Sequence, residues 1–523
     1  MPPPLPSDPP SAAGRVRRIV RWRLRLLASC WLLVVLAIGG CVAENCRGHY
    51  LWKKYRQEWE AKGERFDLAS FVPNPVAPDQ NFATTPFFAP YLDYTSDKTD
   101  QEHPYHWKDR ERYDRNMALA AIPVERGSKK SKLPETGQWQ LGTFTDLRQW
   151  QEYFDGNTNF PFAATPKDPA SDVLTALHRH DAVLDELRAA SARPYSVFPV
   201  HYHEHYQALL PHLASLKSLA QVVRLRAVAH LQAGHPAEAM QDVQFGLRLA
   251  DTLKSEGFLI SSLVRIGIAE LALQPIWEGL ARQSWNEAQI TEIQAALARM
   301  NVLEDYGHAM RVERAAALYF IDQVRAGKLR NLGNSRIGDD ERAWDWSKIR
   351  YLPGGVFRQN QLTIARRYQE QLIPLVDVKA HRVDVDRANK AEDVPELKHF
   401  QPYPPLPAVS RSAERFARAQ AELDLAVIGC ALERHRLATG SYPDTLDALT
   451  PKFLARIPPD VITGQPLKYR LTEDGRFVLY SVGWNQSDDE GNPGLTARRQ
   501  NFDPRKGDWV WGYPALPPDG VRP

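Results

Sequence analysis

Between Leu26 and Ala43 the chain runs 18 residues without a charge, and no other stretch limits its folding as strongly. A helix over those residues reaches about 27 Å, enough to cross the hydrocarbon core of a bilayer. Arg15, Arg17, Arg18, Arg21, Arg23 and Arg25 crowd the near flank, while Glu44, Arg47 and Lys53 follow the far one. Such flanks predict one transmembrane helix at 26–43 behind a basic cytosolic N-terminus at 1–25. The arginine excess places the bulk outside the cytosol, as a single-pass protein of the cell inner membrane with a periplasmic body. Arg47, Lys53, Lys54 and Arg56 offset part of that excess. A second anchor is open: Ile38-Gly39-Gly40-Cys41 has the form of a bacterial lipobox, which would make the chain a lipoprotein held at Cys41. Both put the same bulk on the same side.

Beyond the anchor the chain is long enough for two to four domains at a prior of about 150 residues each. With 66 basic and 63 acidic residues it has no general polyanion-binding field, so nucleic acid is not indicated as a partner. Prolines gather at 71–90, at 394–407 and at both ends, which separates ordered blocks by extended stretches. The resulting division is a Pro/aromatic-rich extended segment at 44–167, an α-helical domain at 168–390, a Pro-rich linker at 391–411, an α+β module at 412–495 and a tail at 496–523. The first segment carries Phe82, Phe87, Phe88 and Tyr91 between its prolines, and those rings need a surface to bury against.

The helical domain is read from its period. Leu209, Leu210, Leu213, Leu216, Leu219, Val222, Val223, Val228 and Leu231 follow a helical repeat up to Gly234-His235-Pro236, where a second helix starts. That one carries Ala239, Met240, Val243, Leu247 and Leu249; a third spans Leu259 to Leu280, and Ser284-x-x-Glu287 is expected to cap a fourth to Met300. The expectation is a mainly α bundle or hairpin stack. Ala229–Asp251 resembles one tetratricopeptide hairpin, with Gly234, Ala239 and Leu247–Leu249 at its small and apolar positions. A 34-residue shift finds no second copy, so a TPR-like hairpin is expected rather than an array.

Chemical motifs are few. His201-Tyr202-His203-Glu204-His205 is the most metal-like cluster, because a helix aligns His201 with His205 and a strand aligns all three histidines, yet the order is not that of a zinc protease. Histidines beside tyrosines at a helix entrance are more often surface residues. No nucleophile elbow, P-loop or dinucleotide fingerprint occurs. Glu304-Asp305 and Asp339-Asp340 read as solvated faces. Of the four cysteines, Cys30 and Cys41 lie in the apolar run; a Cys46–Cys430 bridge competes with a reading of Cys430 as a core thiol.

The last module opens on a helix from about Ser412 with Ala421, Leu425, Ile428, Leu432 and His435 on one stripe, and Glu422, Asp424, Glu433 and Arg434 expected to stay in water. It stops at Gly440. A short helix from Asp444 to Leu449 comes next, capped by Asp444, and then a hairpin: Leu467–Leu471, a turn at Asp474-Gly475, and Phe477–Val482. Trp509-Val510-Trp511 is expected to add an edge strand.

That order, with Gly440-Ser441-Tyr442-Pro443, Leu446-x-x-Leu449, Pro459-Asp460, Gly464-x-Pro466-Leu467-x-Tyr469 and Tyr480-Ser481-Val482-Gly483 before an acidic glycine loop, resembles the globular part of type II secretion pseudopilins of the major, G-type class. The resemblance covers about 85 residues, 412–495. It implies an α+β module of a long helix plus antiparallel strands, and a calcium ion on the loop Trp484–Asn492, with Asp488 and Asp489 and backbone carbonyls as ligands. Two departures stand against a place in a pseudopilus: the apolar segment lies some 370 residues before the module, and no prepilin cleavage site adjoins it. The chain is therefore expected to be an anchored interaction or assembly protein of the bacterial envelope, with envelope or secretion proteins as partners. An envelope metal-dependent hydrolase and a purely structural scaffold are the alternatives.

Overall fold

The computed structural model describes residues 12–96, 105–124, 132–162, 165, 167–328, 352–392, 409, 411–497 and 501–513. Most of the expected linker at 391–411, the pair Asp339-Asp340 and the chain end beyond 513 lie outside them.

Among the described residues helices dominate, with four small antiparallel sheets beside them. The path runs through α1 (Ala12–Glu60), the hairpin β1 (Tyr94–Ser96) and β2 (Tyr105–Trp107), and the short helices α2 (Arg110–Ala120), α3 (Leu147–Phe154), α4 (Pro169–Leu177) and α5 (Asp181–Ala190). The long helices come next: α6 (Pro211–Gln232), α7 (Pro236–Asp251), α8 (Leu259–Ala281), α9 (Glu287–Ala298), α10 (Val302–Arg325) and α11 (Gly354–Arg366). A two-residue hairpin pair, β3 (Val376–Asp377) and β4 (Arg382–Val383), leads to α12 (Val385–Glu392) and the 28-residue α13 (Ser412–Thr439). The chain closes with β5 (Lys468–Leu471), β6 (Phe477–Ser481), β7 (Pro493–Leu495), β8 (Phe502–Gly507) and β9 (Trp509–Gly512). These elements form two compact units: 1–66 with 317–365 and 399–403, and 67–316 with 366–398 and 404–523.

In the first unit α1 is one uninterrupted helix of 49 residues, about 74 Å long, so the expected span at 26–43 is only its middle. No proline breaks it. The span's large apolar side chains are exposed along its length, from Leu26 and Trp31 to Ile38 and Val42. Further along the same helix the pattern reverses: Trp52 and Tyr55 are buried against Phe66, Leu318, Leu362 and Ala365, with Trp52 edge-on to Phe66 at 5.9 Å. Burying one such side chain stabilises the unit by about 1.5–3 kcal/mol.

The second unit is built on the α6–α7 hairpin, and its punctuation is legible. Gly234 takes φ 78° to end α6, and Pro236, which has no amide hydrogen to lose, occupies the first turn of α7. The third helix, α8, is apolar on nearly all sides and buried. The Pro/aromatic segment wraps this body as its rings require: Phe82, Phe88 and Tyr91 are fully buried, and Phe88 meets Phe198 edge-on at 5.4 Å. Asn81 pins it, donating to the Val197 carbonyl and accepting from the Ala83 and Val197 amides.

Several local expectations are corrected. The segment 44–167 is not extended throughout, since the end of α1, α2 and α3 lie within it; their amphipathic runs are too short to stand out between prolines. The cap of α9 is Asn286 with Gln289, a reciprocal capping box two residues after Ser284. Asp444 caps nothing: the short helix is a 3-10 turn, Leu446–Leu449, preceded by Thr445. On α13, Glu422, Asp424 and Glu433 are buried beside the apolar stripe instead of standing in water, because α8, α9 and the β5-β6-β9 sheet enclose the helix on several sides. α13 still ends at Gly440, in the left-handed region at φ 91°. The hairpin turns at Asp474-Gly475, and β9 pairs antiparallel with β6 as the sheet's edge, Leu479 opposite Trp511. Cys430 is a buried free thiol and Cys46 an exposed one, so the two are not bridged.

Candidate functional site

Helices α9 and α13, the 453–458 segment and the β3–β4 turn line a half-open cavity of about 430 Å³, within the range of small-ligand pockets. Helical spacing aims the lining. Gln420, Asp424 and Val427 stand at i, i+4 and i+7 on α13, and Thr291, Gln294, Ala295 and Ala298 repeat that spacing on α9. Leu297, Met300, Phe453, Leu454 and Pro458 supply the apolar wall.

The chemistry centres on Asp424 and His381. The Asp424 carboxylate accepts from His381 Nε2 at 2.6 Å and from Gln420 Nε2 at 2.9 Å. Gln420 is held in turn, its Oε1 accepting the Val302 amide at the start of α10. Burial pushes the Asp424 carboxyl upward, and the His381 hydrogen bond and charge oppose that shift. His381 sits at φ 52°, a backbone conformation that costs an ordinary residue about 1–2 kcal/mol. The hairpin imposes it: the His381 amide donates to the Val378 carbonyl and the Ala380 amide to Asp377 Oδ1. With Nε2 committed to the carboxylate, Nδ1 makes no hydrogen bond among the described residues. At the opposite side Arg434 Nη1 donates to Gln294 Oε1 at 3.1 Å, its guanidinium 5.6 Å from the Phe453 ring centroid. Arg456 completes the rim.

A histidine oriented by a buried carboxylate in the lining of a cavity of mixed polarity is suited to hydrogen-bond a ligand or to take a proton from water. No serine or cysteine among the described residues lines the cavity; Thr291 carries the hydroxyl. A second polar cluster, His212, Glu256 and Ser261, has the residue types of a hydrolytic triad in the wrong order. Glu256 stands in the middle, bonded to both His212 Nε2 and Ser261 Oγ, so the imidazole is not placed to take the serine proton. All three are buried, with His212 stacked 4.1 Å from Phe198, as an interior network is.

The residues that stand out in the sequence fall elsewhere. His201 and His203 are brought together, ring centroids 5.6 Å apart, beside the buried Glu204; the His205 side chain lies outside the described residues. Among the described residues no group of three or more His, Cys, Asp or Glu side chains is arranged to hold a metal. Asp488 Oδ1 accepts from the Tyr480 hydroxyl and the Glu490 amide, and its Oδ2 pairs with Lys468 at 3.1 Å. Asp489 Oδ2 accepts from Asn485 Nδ2, and the loop is closed beneath by Asp508, which accepts the Asp489 and Gly491 amides. The helical period alone puts Asp424 on a wet face, and His381 carries no motif. The available signal is the run of small and apolar residues around Gln420 and Asp424, which leaves too little polar surface for both to face water.

No protein family, characterised protein or solved structure matches the chain.

Proposed function

We propose that the chain is a single-pass membrane protein whose body stands outside the cytosol and works as an interaction or assembly protein of the bacterial envelope. The observation that carries this reading is the contrast between two apolar helices. The 18-residue window of α1 has a mean hydropathy of 2.4 and none of it is buried, whereas the comparable window of α8 is 67% buried and belongs to the core. An exposed apolar helix of that length needs lipid. The arginines before Leu26 support the cytosolic N-terminus.

The long helix α13 followed by the antiparallel β5-β6-β9 sheet is compatible with the pseudopilin likeness and with secretion components as partners. Calcium at Asp488 and Asp489 is a corollary of that likeness, and it requires the ion to displace Lys468 and the Tyr480 hydroxyl. Calorimetric titration of wild type and Asp488→Asn decides it.

The test of the main reading joins alkaline extraction of membranes to a C-terminal topology reporter and mass spectrometry of the N-terminus. Retention in the membrane with an extracytoplasmic C-terminus is expected. A chain released by carbonate refutes the anchor, and one beginning at a lipidated Cys41 replaces the span by a lipid. Affinity capture from the same membranes then tests partnership, comparing wild type with the cavity-filling variant Ala298→Trp. A hydrolase is the second reading, favoured by the His381–Asp424 couple in the cavity. Ester turnover by the purified chain that disappears in His381→Asn would establish it.

A further inference from the structure

Helix α1 leaves its apolar span and enters the core of the first unit without a break, and this fixes what stands beside the membrane surface. Asn45 lies about 3 Å along the axis beyond Ala43, and Gly48 about 7.5 Å beyond it. The headgroup layer extends roughly 5–8 Å past the hydrocarbon core on each side. At that level α1 and α11 cross in backbone contact. A Cβ on Gly48 would stand 2.5 Å from the Gly355 carbonyl oxygen, and one on Gly355 2.3 Å from that of Glu44. The Gly355 amide donates to Asn45 Oδ1 and locks the crossing.

Two arginines gather there. The Gly354 Cβ position lies 3.2 Å from Asn45 Oδ1 and 3.5 Å from Arg325 Nη2, which sets the Arg325 guanidinium at the foot of the span. Arg325 is exposed and makes no ion pair among the described residues. Arg358 Nη1 contacts Asp322 at 3.3 Å, and its charge and that of Arg325 both act on His49, one turn past Asn45 on α1. Glu44, at the same level of α1, is paired with Arg47 at 3.2 Å, so three arginines share two carboxylates there, and the cation left over is repelled by the others in water. Beside a phosphate layer the same arrangement is favourable.

We propose that Arg325, with Arg358 beside it, binds the phosphate of an anionic phospholipid in the leaflet that the first unit faces. This rests on the membrane-anchored reading. Free phosphate shares the chemistry, but a guanidinium level with Asn45 meets headgroups first.

The test uses the full chain reconstituted in phosphatidylcholine bilayers carrying spin-labelled phosphatidylglycerol or spin-labelled phosphatidylcholine, with the motionally restricted fraction read by electron paramagnetic resonance. Wild type should prefer the anionic label, and Arg325→Gln should lower that preference about fivefold, the value of one surface cation at a lipid surface. Arg358→Gln added to it should lower the preference again. Lys62→Gln, just past the end of α1 at Glu60, itself about 26 Å beyond Ala43 along the helix axis, should leave it unchanged. Full preference retained in Arg325→Gln overturns the site, and displacement of the label by inorganic phosphate at equal charge overturns the lipid as its ligand. Carbonate extraction of the same vesicles separates the two readings: a released chain refutes the anchor, whereas an inserted chain without preference refutes only the lipid site.

Discussion

Replacing Gly355 by alanine should open the first unit at the α1–α11 crossing. The added Cβ would lie 2.3 Å from the Glu44 carbonyl oxygen, 2.6 Å from Asn45 Cα and 2.7 Å from the Glu44 carbonyl carbon. Ordinary contact begins near 3.4 Å, and all three neighbours are backbone, so no side chain can rotate away. The helices must separate by about 1 Å, which costs about 1–3 kcal/mol as overpacking and loosens the Asn45–Gly355 hydrogen bond, worth about 1 kcal/mol. The higher helix propensity of alanine returns at most about 1 kcal/mol. The net is about 2 kcal/mol, or about 30-fold in the opening equilibrium. Hydrogen–deuterium exchange of the full chain in bilayers reads it directly, as faster exchange of the α11 amides with the α7 amides unchanged. Gly267→Ala on α8 is the counter-case: no atom lies within 4 Å of its Cβ position, so it should stabilise the second unit by about 0.5–1 kcal/mol. Unaltered or slower α11 exchange in Gly355→Ala would refute the backbone contact.

Three further outcomes rest on individual side chains. His381→Ala leaves the buried Asp424 without its hydrogen-bond partner on Oδ2 and should cost about 1–3 kcal/mol in thermal unfolding, while His381→Gly, free of the φ 52° penalty, should cost about 1 kcal/mol less; equal losses would remove the strain argument. Burial pushes Glu313 up to about 7, although its carboxylate accepts the Leu259 amide. An acid whose folded pKa is raised binds more protons in the native than in the unfolded state, so stability falls as pH rises from about 4.5 to about 7, by about 2–3 kcal/mol in all. Glu313→Gln should flatten that window in denaturant titrations at a series of pH values. A membrane-impermeant maleimide should label Cys46 in intact vesicles and leave Cys430 unmodified until the chain is unfolded, because burial both shields that thiol and pushes its pKa up.

The sequence by itself determined the features that depend on a few adjacent residues. Eighteen charge-free residues make a helix long and apolar enough to span a bilayer, Gly234 and Pro236 stop and restart a helix by their own backbone chemistry, Gly440 ends α13, and Asp474-Gly475 turns a hairpin. Tertiary structure decided the rest. A helical period locates a face for one partner, but it does not count partners, and α13 has several; hence Glu422, Asp424 and Glu433 are buried where a single-stripe reading leaves them in water. His381 reaches Asp424 across 43 residues, through a hairpin of two-residue strands too small to carry a sequence signal. The meeting of Gly48 with Gly355 likewise joins residues distant in the chain, and each glycine alone is only a weak point in a helix. Local chemistry sets where elements begin and end, while the neighbours that convert a polar residue into a site are brought by the packing of elements far apart in sequence.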